Sequence, residues 1–432
     1  MTTARQRLLY VTPTMPKQSG NGLAMRAGAI LEALACRFDI HLRVLPVAGL
    51  PDSPSDFVRR LTISVEVLDL VKNLDPLFGL IDRVSDPDER HRARLAYPKP
   101  HLSRFCHSGL ALDLLAAGRR LDVAGLHVMR LYLAALAEPF LRQSSEARAC
   151  VIDLDDDDSK TYERLAYLQS KLGKDDAGEE AAAESRKFAA LGNLYIPRFD
   201  RVLVSSEVDS QRMVKRFPNA QIEVVPNCYP LTEAAVSPAS LASGPLRLLF
   251  VGSFGYFPNV DAALYLCGEV LPALRELTRR EIVVDLVGTG DASPLRAVLR
   301  CPEVRVHGFV EDLSSVYANT DVVVVPLRVG GGTRIKILEA FSHRVPVVTT
   351  TLGIEGLDAV DGEHVLCADD AQSFARSCLS LKENGELSVR LVECAYQLLN
   401  QRYTQREVSS AVMRAWEAAL GNRAVRPIQS RR

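Results

Sequence analysis

Several things this chain lacks narrow what it can be. No stretch reaches the roughly 18 to 20 uninterrupted apolar residues of a membrane span. The N-terminus, MTTARQRLLYVTPTMP, has too short an apolar run for a secretory signal and leads directly into a strand. Nine cysteines are present, yet none form a CxxC pair, and Cys36, Cys150, Cys267 and Cys378 lie in apolar surroundings. That pattern argues for reduced, buried thiols in a cytoplasmic protein rather than a disulfide framework. Net charge is almost absent: 52 basic residues face 53 acidic ones, a balance of -1. Bulk electrostatics therefore gives no reason to expect a nucleic-acid partner. No repeat occurs at solenoid periods.

What is present is the composition of a globular protein, 47% hydrophobic and 24% charged over 432 residues, which is long enough for two or three domains. Apolar runs of strand length alternate with helix-length segments. Leu8–Val11, Ile40–Val47, Val151–Leu154 and Val202–Val204 read as buried strands in the first half. The stretch VSPASLASGP, 236–245, reads as a linker. The pattern restarts with Leu246–Val251, Ile282–Val287, Val304–His307, Val322–Val325 and Val345–Thr349. Continuous apolar strands separated by helices predict parallel βαβ units, hence two Rossmann-like, doubly wound α/β domains facing a central cleft. The expected division is 1–235, the linker 236–245, a second domain 246–404, a final helix 405–420 and a basic, disordered tail 421–432. Two stretches are cationic, Glu89–Arg104 and Arg423–Arg432. They read as solvated faces or disordered ends. A peripheral contact with anionic lipid at the inner face of the membrane is the alternative.

The most informative segment is Gly330-Gly331-Gly332-Thr333-Arg334-Ile335-Lys336-Ile337-Leu338-Glu339. It follows the strand Val322–Val325 with Pro326 and opens a helix that runs toward His343. Glycines let the backbone approach a ligand closely. A helix N-terminus presents unpaired N–H groups and roughly half a positive charge. Arg334 and Lys336 add full charges in the first turn. Together they predict an anion site, with phosphate as the anion.

From Leu246 to Thr404 the chain resembles the nucleotide-sugar-binding domain of glycosyltransferase family 4, of GT-B fold. The resemblance is carried by VGSFGYFPNVDAA, VDLVGTG, VRVHGFVEDLSSVYANTDVVVVPL and GGGTRIKILEAFSHRVPVVTT. The first half matches more loosely, through YVTPTMPKQSGNG, VLVSSEVDSQRMVKRF and IEVVPN. The resemblance implies a retaining transferase that moves a sugar from a nucleoside-diphosphate sugar to a sugar or lipid-linked acceptor in polysaccharide, glycolipid or glycoconjugate synthesis. It implies no cofactor and no divalent metal. The donor is expected in the second domain and the acceptor in the first, with the last helix crossing back to the first.

It also implies roles for single residues. Glu339 would bind the ribose hydroxyls, as a carboxylate accepting from both. A second Glu is usual eight positions earlier, where this chain has Gly331. An Arg and a Lys are usual after the first strand of the second domain, where this chain has Ser253 and Asn259. Arg334, Lys336 and the helix amides are then the groups left to stabilise the departing diphosphate. Arg334 lies about 200° around the helix from Lys336, but a first-turn side chain can splay toward the axis end. Lys336 and Glu339 share a face, so an ion pair between them is the competing reading. Gly252, Ser253, Gly330, Gly331, Gly332 and Thr333 would line the donor site, and the backbone at Gly308, Phe309 and Val310 would pack on the base.

In the first half, Gly20 and Gly22 would line the cleft; an N-cap by Asn21 between turn glycines is the plainer reading. His127, after the apolar run Val123–Leu126, would reach the donor sugar, unless it is structural; Arg130 is a weaker candidate nearby. The run Asp153–Asp158 is read as a strand end whose carboxylates cap the next helix. Asp153 or Asp155 would face the cleft and meet an acceptor hydroxyl, with Asp155 singled out. Other readings remain open: a sugar-nucleotide epimerase or hydrolase of the same fold, or a non-catalytic nucleotide-sugar-binding subunit.

Overall fold

The computed structural model describes residues 5–48, 52–142, 148–232, 244–291, 293–296, 300–332 and 334–425, with side chains to 421. The chain divides into two compact units. One runs to Pro226 and resumes at Arg406; the other is Asn227–Gln405.

The first unit is built on a seven-stranded sheet. Its strands are β1 (Arg7–Thr12), β2 (Asp39–Val44), β3 (Ser64–Val67), β4 (Val123–Met129), β5 (Ala149–Asp153), β6 (Arg201–Val204) and β7 (Ile222–Val224). Their order is β3-β2-β1-β4-β5-β6-β7, every pairing parallel. The second unit holds β8 (Leu246–Val251), β9 (Ile282–Val287), β10 (Val304–His307), β11 (Val322–Val325), β12 (Val347–Thr349) and β13 (Leu366–Cys367). Their order is β10-β9-β8-β11-β12-β13, again all parallel. All four valines of β11 are buried, as strands covered by helices on both faces must be. The strand order reverses between β1 and β4 in one sheet and between β8 and β11 in the other. Crevices beyond the carboxyl ends of strands at such reversals are where doubly wound sheets bind ligands.

From Arg406 on, the helix Gln405–Val425 belongs to the first unit. Its Trp416 is fully buried, edge-on to Phe38 at 5.3 Å between ring centroids. The indole lies against Gly125 of β4, where a Cβ would come within 2.9 Å of the Trp416 ring and 2.4 Å of the Ala149 carbonyl. Only glycine fits there. The same unit also buries an ion pair. Arg26 grips Asp153 with Nε at 2.8 Å and Nη2 at 2.6 Å, and donates to the Val225 carbonyl at 3.0 Å.

Several expected boundaries move. The helix from 405 continues to Val425, so it takes in the start of the segment read as a disordered tail; 426–432 lie outside the described residues. Most of the expected linker, 236–243, lies outside them as well. Residues 227–232, read as part of the first domain, group with the second unit. Thr232 donates to the Ser342 carbonyl at 2.6 Å, and Ser342 donates to the Pro230 carbonyl at 2.6 Å. The helical pattern 371–400 is two helices, Ala371–Glu383 and Gly385–Arg402; Asn384 caps the second by accepting from Leu387 N. The cationic stretch 89–104 is a helix and a 3-10 turn in which Arg94 pairs with Asp82 and Lys99 with Asp75, both at 2.8 Å.

Candidate functional site

The crevice of the second sheet is flanked by two loops, one after β8 and one after β11. The β11 loop ends in the helix Ile335–Ser342, with Arg334 at its N-cap position. Gly330 has φ +128° and Gly332 φ +67°, left-handed values that favour glycine. The turn they make folds the Arg334 side chain back over the loop. Its guanidinium donates to the carbonyls of Gly331 and Gly332, and a Cβ at Gly330 would stand 3.3 Å from Arg334 Nη2. Arg334 is 8% exposed, and its Nε and Nη2 have no hydrogen-bond partner among the described residues. A buried cation with unmet donors is costly unless something anionic completes it. Thr333 lies outside the described residues.

Lys336, in the first turn of the helix, reaches the other loop. Its Nζ donates to Asn259 Oδ1 at 2.7 Å and lies 4.4 Å from the centroid of the buried Phe250 ring of β8. Burial, and then the nearby Arg334, pull the amine down to about 7. The competing reading, an ion pair with Glu339, is not made among the described residues. The reason is geometric: Asn259 offers an acceptor within reach across the crevice, while Glu339 is held from another side. Tyr229 donates to Glu339 Oε1 at 2.7 Å. Burial raises the Glu339 carboxyl, and the Tyr229 and Tyr317 hydroxyls oppose the rise. Tyr317 stacks on His343 at the end of the same helix, 4.2 Å between centroids.

Gly252 and Ser253 lie where the β8 loop meets this group. Asn259 Nδ2 donates to the Ser253 carbonyl at 2.9 Å, and a Cβ at Gly252 would be 2.7 Å from the Asn259 amide carbon. Gly308, Phe309 and Val310 follow β10, on the edge strand of the sheet and two strands from β8, with the Phe309 ring 70% exposed. Gly353 is a structural turn, its amide donating to Thr350 Oγ1 at 2.9 Å.

Candidates of the first unit fare differently. His127 is inside β4, opposite Tyr10 of β1 and Val151 of β5, and is fully buried. The Trp416 indole donates to its Nδ1 at 3.2 Å, and burial together with Arg26 pushes the imidazole down to about 3. A neutral histidine sealed in a core cannot reach a donor sugar, so the structural reading replaces the functional one. β4 runs three residues further than its apolar run suggested, to Met129. Asn21 caps the helix Gly22–Ala35, accepting from Ala24 N at 2.9 Å; Gly20, with φ +110°, and Gly22 flank it in the loop after β1.

The acidic run is used up locally. Asp153 holds Arg26, Asp156 accepts from Thr161 Oγ1 at 2.9 Å, and Asp157 caps the helix Asp158–Lys171. Asp155 accepts from Arg130 Nη1 at 3.1 Å, which removes the free carboxylate expected to meet an acceptor hydroxyl. Arg130 and Asp155 both have positive φ, 75° and 59°. Arg130 also pairs with Asp158, and burial, against the pull of Arg130, pushes that carboxyl up to about 7. Among the described residues no cluster of three His, Cys, Asp or Glu is placed to hold a metal ion.

Three contacts had no local signal in sequence: Tyr229 on Glu339, Lys336 on Asn259, and Arg328 on Asp261 with Nη2–Oδ1 at 2.6 Å. Each joins residues at least 67 positions apart.

Comparison with known proteins agrees with this picture. Residues 245–384 match the family model described as Glycosyl transferases group 1. An uncharacterized 44.6 kDa protein in the cps region of Klebsiella pneumoniae is 25% identical over 176 residues, 39% of this chain and 45% of that protein. The match thus spans less than half of the curated relative. Among solved structures, sucrose-phosphate synthase from Thermosynechococcus elongatus superposes with a TM-score of 0.69 at 13% identity, covering 97% of this chain and 100% of that one. HepE of Anabaena in complex with UDP-glucose gives 0.62 at 13% identity, over 96% and 100%. TarM of S. aureus gives 0.61 at 9% identity, over 96% and 99%. At these identities the likeness establishes the fold: two parallel α/β units of GT-B type.

Proposed function

We propose that this chain, which carries a glycosyl transferases group 1 domain in its second unit, transfers a sugar from a nucleoside-diphosphate sugar to an acceptor with retention of configuration. The observation that carries the reading is Arg334, a nearly buried guanidinium with two nitrogens that have no partner among the described residues, at the start of a helix, inside a glycine loop beyond β11. A diphosphate supplies the charge that this arrangement lacks. As the glycosidic bond breaks, the leaving group gains negative charge. Arg334, Lys336 and the helix amides stabilise it without reorganising. Glu339, oriented by Tyr229, takes the ribose hydroxyls through the rest of its acceptor capacity. Gly252, Ser253 and Gly330–Gly332 line the donor, and the loop Gly308–Val310 takes the base. His127 has no part in the chemistry. No divalent metal is required.

The acceptor, a sugar or lipid-linked sugar, engages the first unit. No described helix is long and apolar enough to cross a membrane, so a lipid-linked acceptor would be met at the membrane surface. HepE was solved with UDP-glucose, and TarM with UDP and α-GlcNAc-glycerol, which makes uridine donors the first to try. Gly331 provides no carboxylate for the donor sugar, and this favours a second reading, a subunit that binds nucleotide sugars without turnover.

Thermal denaturation with UDP, GDP, ADP, dTDP and their sugar conjugates separates these readings. A ligand of the native state raises the melting temperature by mass action. We expect one nucleoside diphosphate to do so in the presence of EDTA, and its sugar conjugate to be consumed once a glycan acceptor is added. Binding with no consumption over a broad acceptor panel would favour the second reading, and no binding would overturn both.

A further inference from the structure

We propose that Asn259 is a positioning residue for the donor site: its side-chain carbonyl holds the Lys336 ammonium across the crevice, on the diphosphate side, and keeps it off Glu339. This rests on the diphosphate reading above.

On a bare helix Lys336 and Glu339, three residues apart, would attract one another. In the folded chain they are held apart. The ammonium donates to Asn259 Oδ1 at 2.7 Å and lies over Phe250, while Glu339 receives Tyr229. Asn259 is built to do this. It is 8% exposed, and its Nδ2 is committed to the Ser253 carbonyl at 2.9 Å, which leaves the carbonyl end of the amide facing Lys336. The Gly252 backbone packs against the amide closely enough that a Cβ there would stand 2.7 Å from its carbon.

The neutrality of this acceptor matters. A carboxylate at 259 would anchor the ammonium equally well but cancel its charge toward a phosphate. An apolar side chain would release it to Glu339, and the ribose carboxylate would then be tied up too. Burial and Arg334 already hold the amine near 7, opposed by Glu339. Its charge near neutral pH is therefore set by its immediate neighbours. Below about 7 the amine is an ammonium and attracts diphosphate; above it the attraction fades.

The test uses the full chain and whichever of UDP, GDP, ADP and dTDP binds it most tightly, titrated calorimetrically from about pH 5.5 to about pH 9. Wild-type affinity should fall as pH rises through neutrality. Lys336→Met should lack that limb, leaving only the titration of the ligand phosphate. Asn259→Asp, nearly isosteric, should move the limb upward by about one pH unit or more and weaken binding about tenfold at pH 6. Asn259→Ala should weaken binding about tenfold at pH 6 as well. If Asn259→Asp keeps the wild-type limb and affinity, the positioning role is overturned, and this variant decides even if Asn259→Ala folds poorly. If wild type binds no nucleoside diphosphate at all, the functional reading itself has failed, and the inference with it.

Discussion

Arg334→Ala is expected to weaken nucleoside-diphosphate binding by at least about 100-fold, or about 3 kcal/mol, while leaving the affinity for the free nucleoside nearly unchanged. Charge-assisted hydrogen bonds to phosphate contribute on this scale, and two nitrogens of this side chain have no other described partner. The apo protein should melt no lower than wild type. Deleting a buried cation that is only partly satisfied removes a cost along with its contacts to the Gly331 and Gly332 carbonyls. Calorimetric titration and thermal denaturation check the two halves. A merely structural arginine would give the opposite pair of results, a lower melting temperature with ligand affinity intact.

Asp153→Ala is expected to cost the first unit about 3–5 kcal/mol, which lowers its melting temperature by on the order of 10 °C. Arg26 and Asp153 side chains are 2% and 0% exposed, and the pair is bidentate. Without its main counter-charge Arg26 would keep neutral acceptors such as the Val225 carbonyl and a longer contact to Asp155 Oδ1 at 3.5 Å. The bidentate charge pairing of a guanidinium shut away from water would be lost. The double variant Arg26→Met with Asp153→Leu should recover most of the loss, because apolar packing replaces a buried pair at small net cost. Nucleoside-diphosphate affinity below the melting range should be unchanged, since donor-site residues lie in the other unit. A melting temperature within a degree or two of wild type would show that the pair is not a main support of the first sheet.

The sequence carried the second unit well because its signals were local. Four valines in a row, β-branched and closed by Pro326, mark a short strand buried on both faces, and glycines followed by Arg334 and Lys336 mark an anion-binding helix start within a few residues. Short edge strands left little trace. β3 has two exposed positions among four residues and β13 is two residues long, so neither shows a continuous apolar run.

His127 misled for a different reason. Its partner Trp416 is 289 residues away, so nothing nearby marked the imidazole as sealed in. The aspartate run was ambiguous in the same way. Asp157 capping its own helix is a local matter and was legible, whereas the claims of Arg26 on Asp153 and of Arg130 on Asp155 depend on how the strands pair. Lys336 had a visible partner three positions along its own helix, Glu339, and the fold supplied Asn259 instead. Helical spacing ranks the neighbours on one helix and says nothing about the loop that faces it.

The most direct test is a crystal structure of the full chain grown with its tightest-binding nucleoside diphosphate. Phosphate oxygens are expected about 2.7–3.1 Å from Arg334 Nε or Nη2 and from Lys336 Nζ, at the start of the helix Ile335–Ser342. A diphosphate bound elsewhere, with the Arg334 guanidinium still folded against its glycines and touching no ligand, would contradict that placement.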